Sequence, residues 1–350
     1  MKEYNLAILG ATGAVGQEFI NLLNERDFPF KNLKLLASAR SAGKELTVRG
    51  KTYKVEEAKA DSFNGVDVAL FAGGSISKTF APIAVKAGAV VIDNSSTYRM
   101  DPEVPLIVPE VNPQDIKKHK GIIANPNCST IIMVMALKPI YDLARIKRII
   151  VSTYQAASGA GKDGLDELER QIKEAAAGKE MTAHIFPSAS AAKHFPLALN
   201  LVPQIDVFLD NLYTKEEMKM VNETKKIFSD PEMRITATTV RVPVYRSHSE
   251  SVNVELEHDV ELADIRKALS QFPGVVLQDD PSQQIYPMPL YTSGLNDVYV
   301  GRLRRMNRPT EASIFGVLGI KSAKGLHSTR SRLRKPWSRI TGSKMEALRR

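Results

Sequence analysis

Seven residues near the start of the chain do most to limit its fold. Gly10-Ala11-Thr12-Gly13-Ala14-Val15-Gly16 joins an apolar run, Leu6-Ala7-Ile8-Leu9, to a helical stretch, Gln17-Glu18-Phe19-Ile20-Asn21-Leu22-Leu23. The apolar run reads as a buried strand. Glycines at such a turn let the backbone approach a pyrophosphate and deliver it to the N-terminus of the helix. The spacing is G-x-x-G-x-x-G, a relative of G-x-G-x-x-G, and its place between strand and helix makes it a dinucleotide-binding expectation. Strand-like runs follow at Leu33–Ala37, Val66–Phe71 and Ala89–Asp93, with Ala72-Gly73-Gly74-Ser75 and an amphipathic stretch from Ser77 to Ala87 between the last two. Strands alternating with helical patterns predict an α/β fold, a Rossmann-like doubly wound parallel sheet.

The end of the second strand separates the two nicotinamide dinucleotides. An NAD site places Asp or Glu there for the ribose 2′-hydroxyl. This chain has Ser38-Ala39-Arg40-Ser41-Ala42-Gly43-Lys44 instead. Hydroxyls and cations stand where a 2′-phosphate is held, and the acid that repels it is missing, so NADP is expected. An ordinary solvated loop is the plainer reading of the same residues.

At 350 residues the chain suits two domains. A single cysteine excludes an intramolecular disulfide framework and fits a reducing cytosol. No apolar run approaches the roughly 18 residues a membrane span requires, and Met1-Lys2-Glu3-Tyr4-Asn5 has no secretory pattern, so a cytoplasmic protein is expected. The net charge of +9 hints at nucleic acid until it is located. Residues 306–350 hold eleven Lys and Arg against Glu311 and Glu346, which accounts for the whole excess. The body of the chain is formally neutral, and neither nucleic acid nor membrane is expected as a partner.

That one cysteine, Cys128, lies in Asn125-Pro126-Asn127-Cys128-Ser129-Thr130, between Gly121-Ile122-Ile123-Ala124 and Ile131-Ile132-Met133-Val134-Met135-Ala136-Leu137. A strand, a Pro-containing turn and a helix start put the sulfur at a helix N-terminus, where free N–H groups and the helix dipole favour thiolate. A lone cysteine is more often buried and inert; the polar turn argues for a nucleophile.

Further candidates follow in the second half. Ile149–Gln155 reads as a strand delivering Gln155 into Ala156-Ala157-Ser158-Gly159-Ala160-Gly161. The helical segment from Thr214 carries Glu216 and Lys219 at i, i+3, by spacing alone a solvated surface pair. Val240, Val242 and Val244 alternate with Arg241, as in a strand with one polar face. Arg241 suits bidentate capture of a carboxylate. His248 suits proton exchange near neutral pH, although a lone His is more often structural. The remaining His residues form no metal-ligand spacing, and no metal is expected.

Taken in order, GATGAVG, LASARSAGK, FAGG, DNSS-x-Y-R, PEVN, NPNCST, YQAASGAG, PQID, R-x-P-V-x-R-x-H and a late VGRLR resemble the aspartate-β-semialdehyde dehydrogenase family from residue 2 to about 304. The resemblance implies an NADP-binding domain over 1–128 and an α+β catalytic and dimerisation domain over 129–305. It implies Cys128 as nucleophile, His248 as acid/base and Gln155 as the group that orients the acyl carbon. Arg241 would bind the substrate α-carboxylate, Glu216 would lie near its amino group, and Arg99, Asn127 and Lys219 would form the phosphate side. Gly10, Gly13 and Gly16 would carry the NADP pyrophosphate, with Ser38, Arg40 and Ser41 at the 2′-phosphate and Thr12, Ala14, Val15, Gly73, Ser158 and Gly159 also against the cofactor. The implied substrates are aspartyl phosphate, aspartate semialdehyde and phosphate, and the implied assembly is a homodimer or homotetramer. N-acetyl-γ-glutamyl-phosphate reductase shares this architecture and its Cys/His logic. A nucleotide-binding protein without catalysis is the alternative from another class.

Residues 306–350 depart from the resemblance and read as an aberrant basic tail. In place of a returning helix of the type D-N-L-R-K-G-A-A-x-N-x-V-Q-I-A-E stands Ser322 to Arg339, SAKGLHSTRSRLRKPWSR, which holds the chain's only Trp. A codon series for RKGAALNTVQIAETLVK, read one base out of frame, encodes that run, and a frameshift at about codons 303–306 is the expectation it supports. A genuine basic tail is the plainer reading, and the loss of a covering helix is then expected to consume much of a domain's stability margin.

Overall fold

The computed structural model describes residues 3–305 and 313–321, the latter by backbone alone. Two compact units divide after Pro126. In the first, β1 (Tyr4–Leu9) leads through the glycine turn into α1 (Ala14–Glu25), followed by β2 (Phe30–Ala37), β3 (Glu45–Val48), β4 (Lys51–Glu57), β5 (Val68–Phe71), α2 (Ile76–Lys86), β6 (Val90–Asp93) and β7 (Ile122–Ala124). The sheet runs β3-β4-β2-β1-β5-β6-β7 and is parallel apart from the β3–β4 pair.

Alternation along β1 builds two cores, because successive side chains leave opposite faces of a strand. Leu6 and Ile8 pack with Phe19, Ile20 and Leu23 of α1. Ala7 and Leu9 pack on the other face with Phe71, Ala81 and Ala84, the last two from α2. Each fully buried Leu, Ile or Phe contributes about 2 kcal/mol.

The second unit opens with α3 (Cys128–Ala144) and β8 (Ile146–Gln155), then α4 (Gly161–Ala176), α5 (Lys215–Phe228), β9 (Arg234–Arg241), β10 (His248–Leu256), α6 (Leu262–Gln271), β11 (Val275–Leu277), α7 (Pro289–Thr292), β12 (Val298–Arg305) and β13 (Ser313–Lys321). Its sheet runs β11-β12-β13-β10-β8-β9. The β8–β9 pair is parallel, and β10 is antiparallel to both β8 and β13. Only Arg145 separates α3 from β8, so the helix folds straight back along the strand and its N-terminus returns to the Gln155 end.

Two expectations need correction. The alternation from Val240 to Val244 is not one strand: β9 stops at Arg241, because Pro243 cannot continue a hydrogen-bonded ladder. The Arg241 side is the buried side, with Arg241 at 3 % exposure. The departing segment is also not wholly a tail. Ser313–Lys321 is a strand between β12 and β10, consistent with its apolar and β-branched residues. The basic run 322–350 lies outside the described residues.

Candidate active site

The glycine turn of the first unit is built to let something close. Gly10 has φ +83°, and its N–H and that of Ala11 both bond to Leu36 O. A β-carbon at Gly16 would stand 2.1 Å from Gly10 O, so helix and turn meet at a distance only glycine allows. Gly13 caps α1 without a side chain, which leaves the leading N–H groups of Ala14, Val15 and Gly16 to face an anion, with Thr12 half-buried beside them. Gly73 N lies 3.2 Å from the position a Gly10 β-carbon would take, which brings that residue into the same cradle. Ser38 and Arg40 are exposed just beyond β2, while Ser41 is buried. The cradle fits a dinucleotide pyrophosphate. Arg99, also in this unit, is buried with Nη2 donating to Asn94 O.

In the second unit three functional side chains meet at one end of the sheet. Gln155 closes β8 and stands opposite Arg241, the last residue of parallel β9. Ser249 of β10 pairs with Tyr154, so His248 opens its strand beside Gln155. All three are at most 3 % exposed. Ala156 ties them together through its peptide alone: its N–H donates to His248 Nδ1 at 3.0 Å, and its carbonyl accepts from Arg241 Nη1 at 2.9 Å. Because Nδ1 accepts, the neutral ring carries its proton on Nε2. Burial, aided by Arg241 and opposed by Glu216, depresses the His248 pKa to about 4, so the ring is neutral at physiological pH.

Gly159 marks where Arg241 and His248 converge. A β-carbon there would lie 2.5 Å from Arg241 Nη1 and 3.2 Å from His248 Cε1. The neighbouring Ser158 hydroxyl is buried without a partner among the described residues. Beneath the turn, Phe186 lies 5.9 Å from the Arg241 guanidinium and packs with Ala157, Leu168 and Leu197.

Cys128 is the first residue of α3 and half-exposed, not sealed in a core. Asn127 caps that helix, accepting from Ser129 N at 2.9 Å and Thr130 N at 3.3 Å. Its amide nitrogen donates to Glu216 Oε1 at 2.8 Å. Gln155 Nε2 donates to Ser129 Oγ at 2.8 Å and to the same Glu216 oxygen at 3.3 Å. Burial works to raise the Glu216 pKa, but Lys219 and the Asn127 and Gln155 hydrogen bonds outweigh it and keep the carboxylate ionised.

The Glu216–Lys219 pair is thus not the solvated surface pair that its spacing suggests. Glu216 is 5 % exposed, and Lys219 Nζ reaches both Glu216 Oε2 at 3.0 Å and Asp206 Oδ2 at 2.9 Å. Spacing reports a shared helical face, not what covers that face. Sequence reading also missed Ser129, Ala156 and Glu223, whose Oε2 accepts the Asn127 N–H at 2.6 Å. Ser129 and Ala156 lie inside NPNCST and YQAASGAG, where Cys128 and Gln155 draw the attention, and Glu223 lies in no motif.

A half-exposed thiol at a helix start beside a buried Arg, a neutral His and an oriented Gln is suited to acyl transfer. Sequence comparison agrees with that geometry. Residues 5–119 match the NAD binding domain of semialdehyde dehydrogenases and residues 137–317 their dimerisation domain. The aspartate-semialdehyde dehydrogenase of Bacillus subtilis (strain 168) is 52 % identical over 303 residues, 86 % of this chain and 88 % of that protein. The chain belongs to the aspartate-semialdehyde dehydrogenase family.

The enzyme of the same name from Aquifex aeolicus (strain VF5) is 53 % identical over 306 residues, 86 % of this chain and 88 % of that one. Among solved structures, aspartate semialdehyde dehydrogenase II from Vibrio cholerae superposes with a TM-score of 0.89 at 41 % identity, covering 98 % of this chain and all of that one. A complex of the same enzyme with ASA superposes equally well. The Candida albicans enzyme with NADP gives 0.69 at 26 % identity, over 91 % of this chain and 93 % of its own. The expected fold class, a Rossmann-like domain plus a dimerisation domain, is the one these family members share.

Proposed function

We propose that this chain reduces L-aspartyl 4-phosphate to L-aspartate 4-semialdehyde, releasing phosphate, through a thioester on Cys128 with NADPH as reductant. The observation that carries the reading is the convergence of Gln155, Arg241 and His248 at one sheet end, joined to the Cys128 turn through Ser129 and Glu216.

The Cys128 sulfur attacks the acyl carbon, the C–S bond forms, and the bond to the phosphate oxygen breaks. Position at the first residue of α3 favours negative charge on that sulfur. Gln155, its amide nitrogen held by Ser129 and Glu216, orients the acyl group. Arg241 holds the α-carboxylate, and ionised Glu216 faces the amino group. Asn127 and Lys219 make the side that receives the phosphate. NADPH, when bound, supplies the hydride that reduces the thioester carbon, and Gly10, Gly13, Gly16, Ser38, Arg40 and Ser41 hold it. Negative charge then gathers on the former carbonyl oxygen, where the Nε2–H of neutral His248 donates a hydrogen bond that stabilises it. As the carbonyl re-forms from the oxyanion, the C–S bond breaks to free the thiolate.

A neutral His248 with its proton on Nε2 suits this donor role better than removal of a proton from the thiol. We place the protein in the cytoplasm as a homodimer or homotetramer assembled through the second unit. The dimerisation-domain match supports self-assembly, as do the exposed apolar Ile150 and Tyr154 of β8. Among the described residues, no helix is long and apolar enough to cross a membrane.

Phosphate-dependent reduction of NADP by aspartate semialdehyde tests the reading, run on this chain and on one with the 303–350 reading frame restored. Turnover that requires phosphate and rises in the restored chain supports it. Turnover without phosphate overturns it.

A further inference from the structure

We infer that Glu223 is a positioning residue for Cys128, acting through the main-chain N–H of Asn127. The inference rests on Cys128 being the nucleophile. Glu216 and Glu223 stand two turns apart on α5, a spacing that returns to the same helical face. Both grip the same residue by different handles: Glu216 takes the Asn127 side-chain amide at 2.8 Å, and Glu223 takes its peptide N–H at 2.6 Å.

Asn127 is the residue whose shape decides where Cys128 points. It caps α3 from an extended backbone, φ −59° and ψ 149°, and its Oδ1 spans the N–H groups of Ser129 and Thr130. Such a cap holds only while backbone and side chain are both fixed. With the side chain tied by Glu216 and the peptide by Glu223, the cap has no free hinge and the first helical residue has a single orientation. Glu223 is 1 % exposed. Burying an ionisable group is costly unless its bonds are made, so its bond to Asn127 is a strong constraint on the turn. Its place on α5, far from the NPNCST motif in sequence, hides the link from any local pattern.

Glu223→Ala and Glu223→Gln both remove the carboxyl group, but Gln keeps an oxygen able to accept the Asn127 N–H, so their difference reports on the side chain that makes that bond. Cys128 is the chain's only cysteine, so iodoacetamide alkylation reports on this thiol alone, with or without turnover. We expect E223A to alkylate at least threefold more slowly than E223Q at pH 7, because a frayed first turn loses its hold on the thiolate. In the frame-restored chain we expect kcat at least tenfold lower in E223A than in E223Q, with KM for aspartate semialdehyde within threefold. If E223A is insoluble, Glu223→Asp replaces it, since its shorter side chain cannot span the same gap. Equal alkylation rates in folded variants overturn the inference. Cys128→Ala is the control for the underlying reading. Full activity there removes the catalytic role, while the alkylation comparison still decides whether Glu223 sets the turn.

Discussion

The α-carbon of Gly159 faces Arg241 so closely that a β-carbon would come within 2.5 Å of Nη1. Gly159→Ala therefore forces the guanidinium away from the Ala156 carbonyl that holds it. Expected is a rise of at least tenfold in KM for aspartate semialdehyde together with a lowered melting temperature, because the displaced guanidinium is buried and loses the carbonyl that pairs it. Steady-state kinetics beside a melting curve check both halves.

Cys128→Ser replaces the sulfur with a far weaker nucleophile of similar shape. Turnover should fall at least a thousandfold, while NADP titration by fluorescence should be unaltered, since the glycine cradle lies in the other unit. Robust turnover by this variant would refute a thioester.

His248 gives the fold an acid-sensitive point. Its pKa falls from 6.5 in the unfolded chain to about 4 in the fold, first through burial and then through Arg241. Above pH 6.5 both states are neutral there and nothing is lost. Between 6.5 and 4 the unfolded chain takes up a proton that the folded chain refuses, so stability drops by up to about 3 kcal/mol. Urea denaturation at pH 7 and pH 5 should show the decline, and His248→Asn should flatten it. The same variant should lose kcat by about a hundredfold or more, because the Nε2–H placed to stabilise the oxyanion is gone.

Glu250 works in the opposite direction. It is fully buried on β10, directly opposite Thr153, and neither carboxyl oxygen has a hydrogen-bond partner among the described residues. Burial pushes its pKa well above 4.5. Its neutral form stabilises at low pH, and that contribution is lost as pH rises through the folded pKa. Glu250→Gln should raise the melting temperature at pH 8 by about 4 °C or more and change it little at pH 4. An equal shift at both pH values would contradict this account.

Local features were the legible ones. GATGAVG spells out strand, turn and helix within a dozen residues, and NPNCST names its own helix cap, so both could be read from neighbours in sequence. The role of Glu216 could not, because its partner Asn127 is 89 residues away and i, i+3 spacing says nothing about burial. His248 was ambiguous for the same reason: what fixes its tautomer is a backbone N–H 92 positions earlier, and what keeps its ring neutral is burial, which no local pattern reports. The alternation through Val244 misled because it continues past the proline that ends the ladder. β13 was missed because its composition was judged with the basic run that follows it.

Ala156 leaves a practical consequence. The residue that joins His248 to Arg241 does so with backbone groups that every amino acid but proline possesses, so an ordinary side-chain scan passes over it without a signal. A catalogue of sensitive positions compiled by mutagenesis would assign its effect to the two partners. Replacing the amide by an ester at this one linkage would delete the donor to His248 and leave every side chain in place, exposing a contribution that ordinary genetics has no letter for.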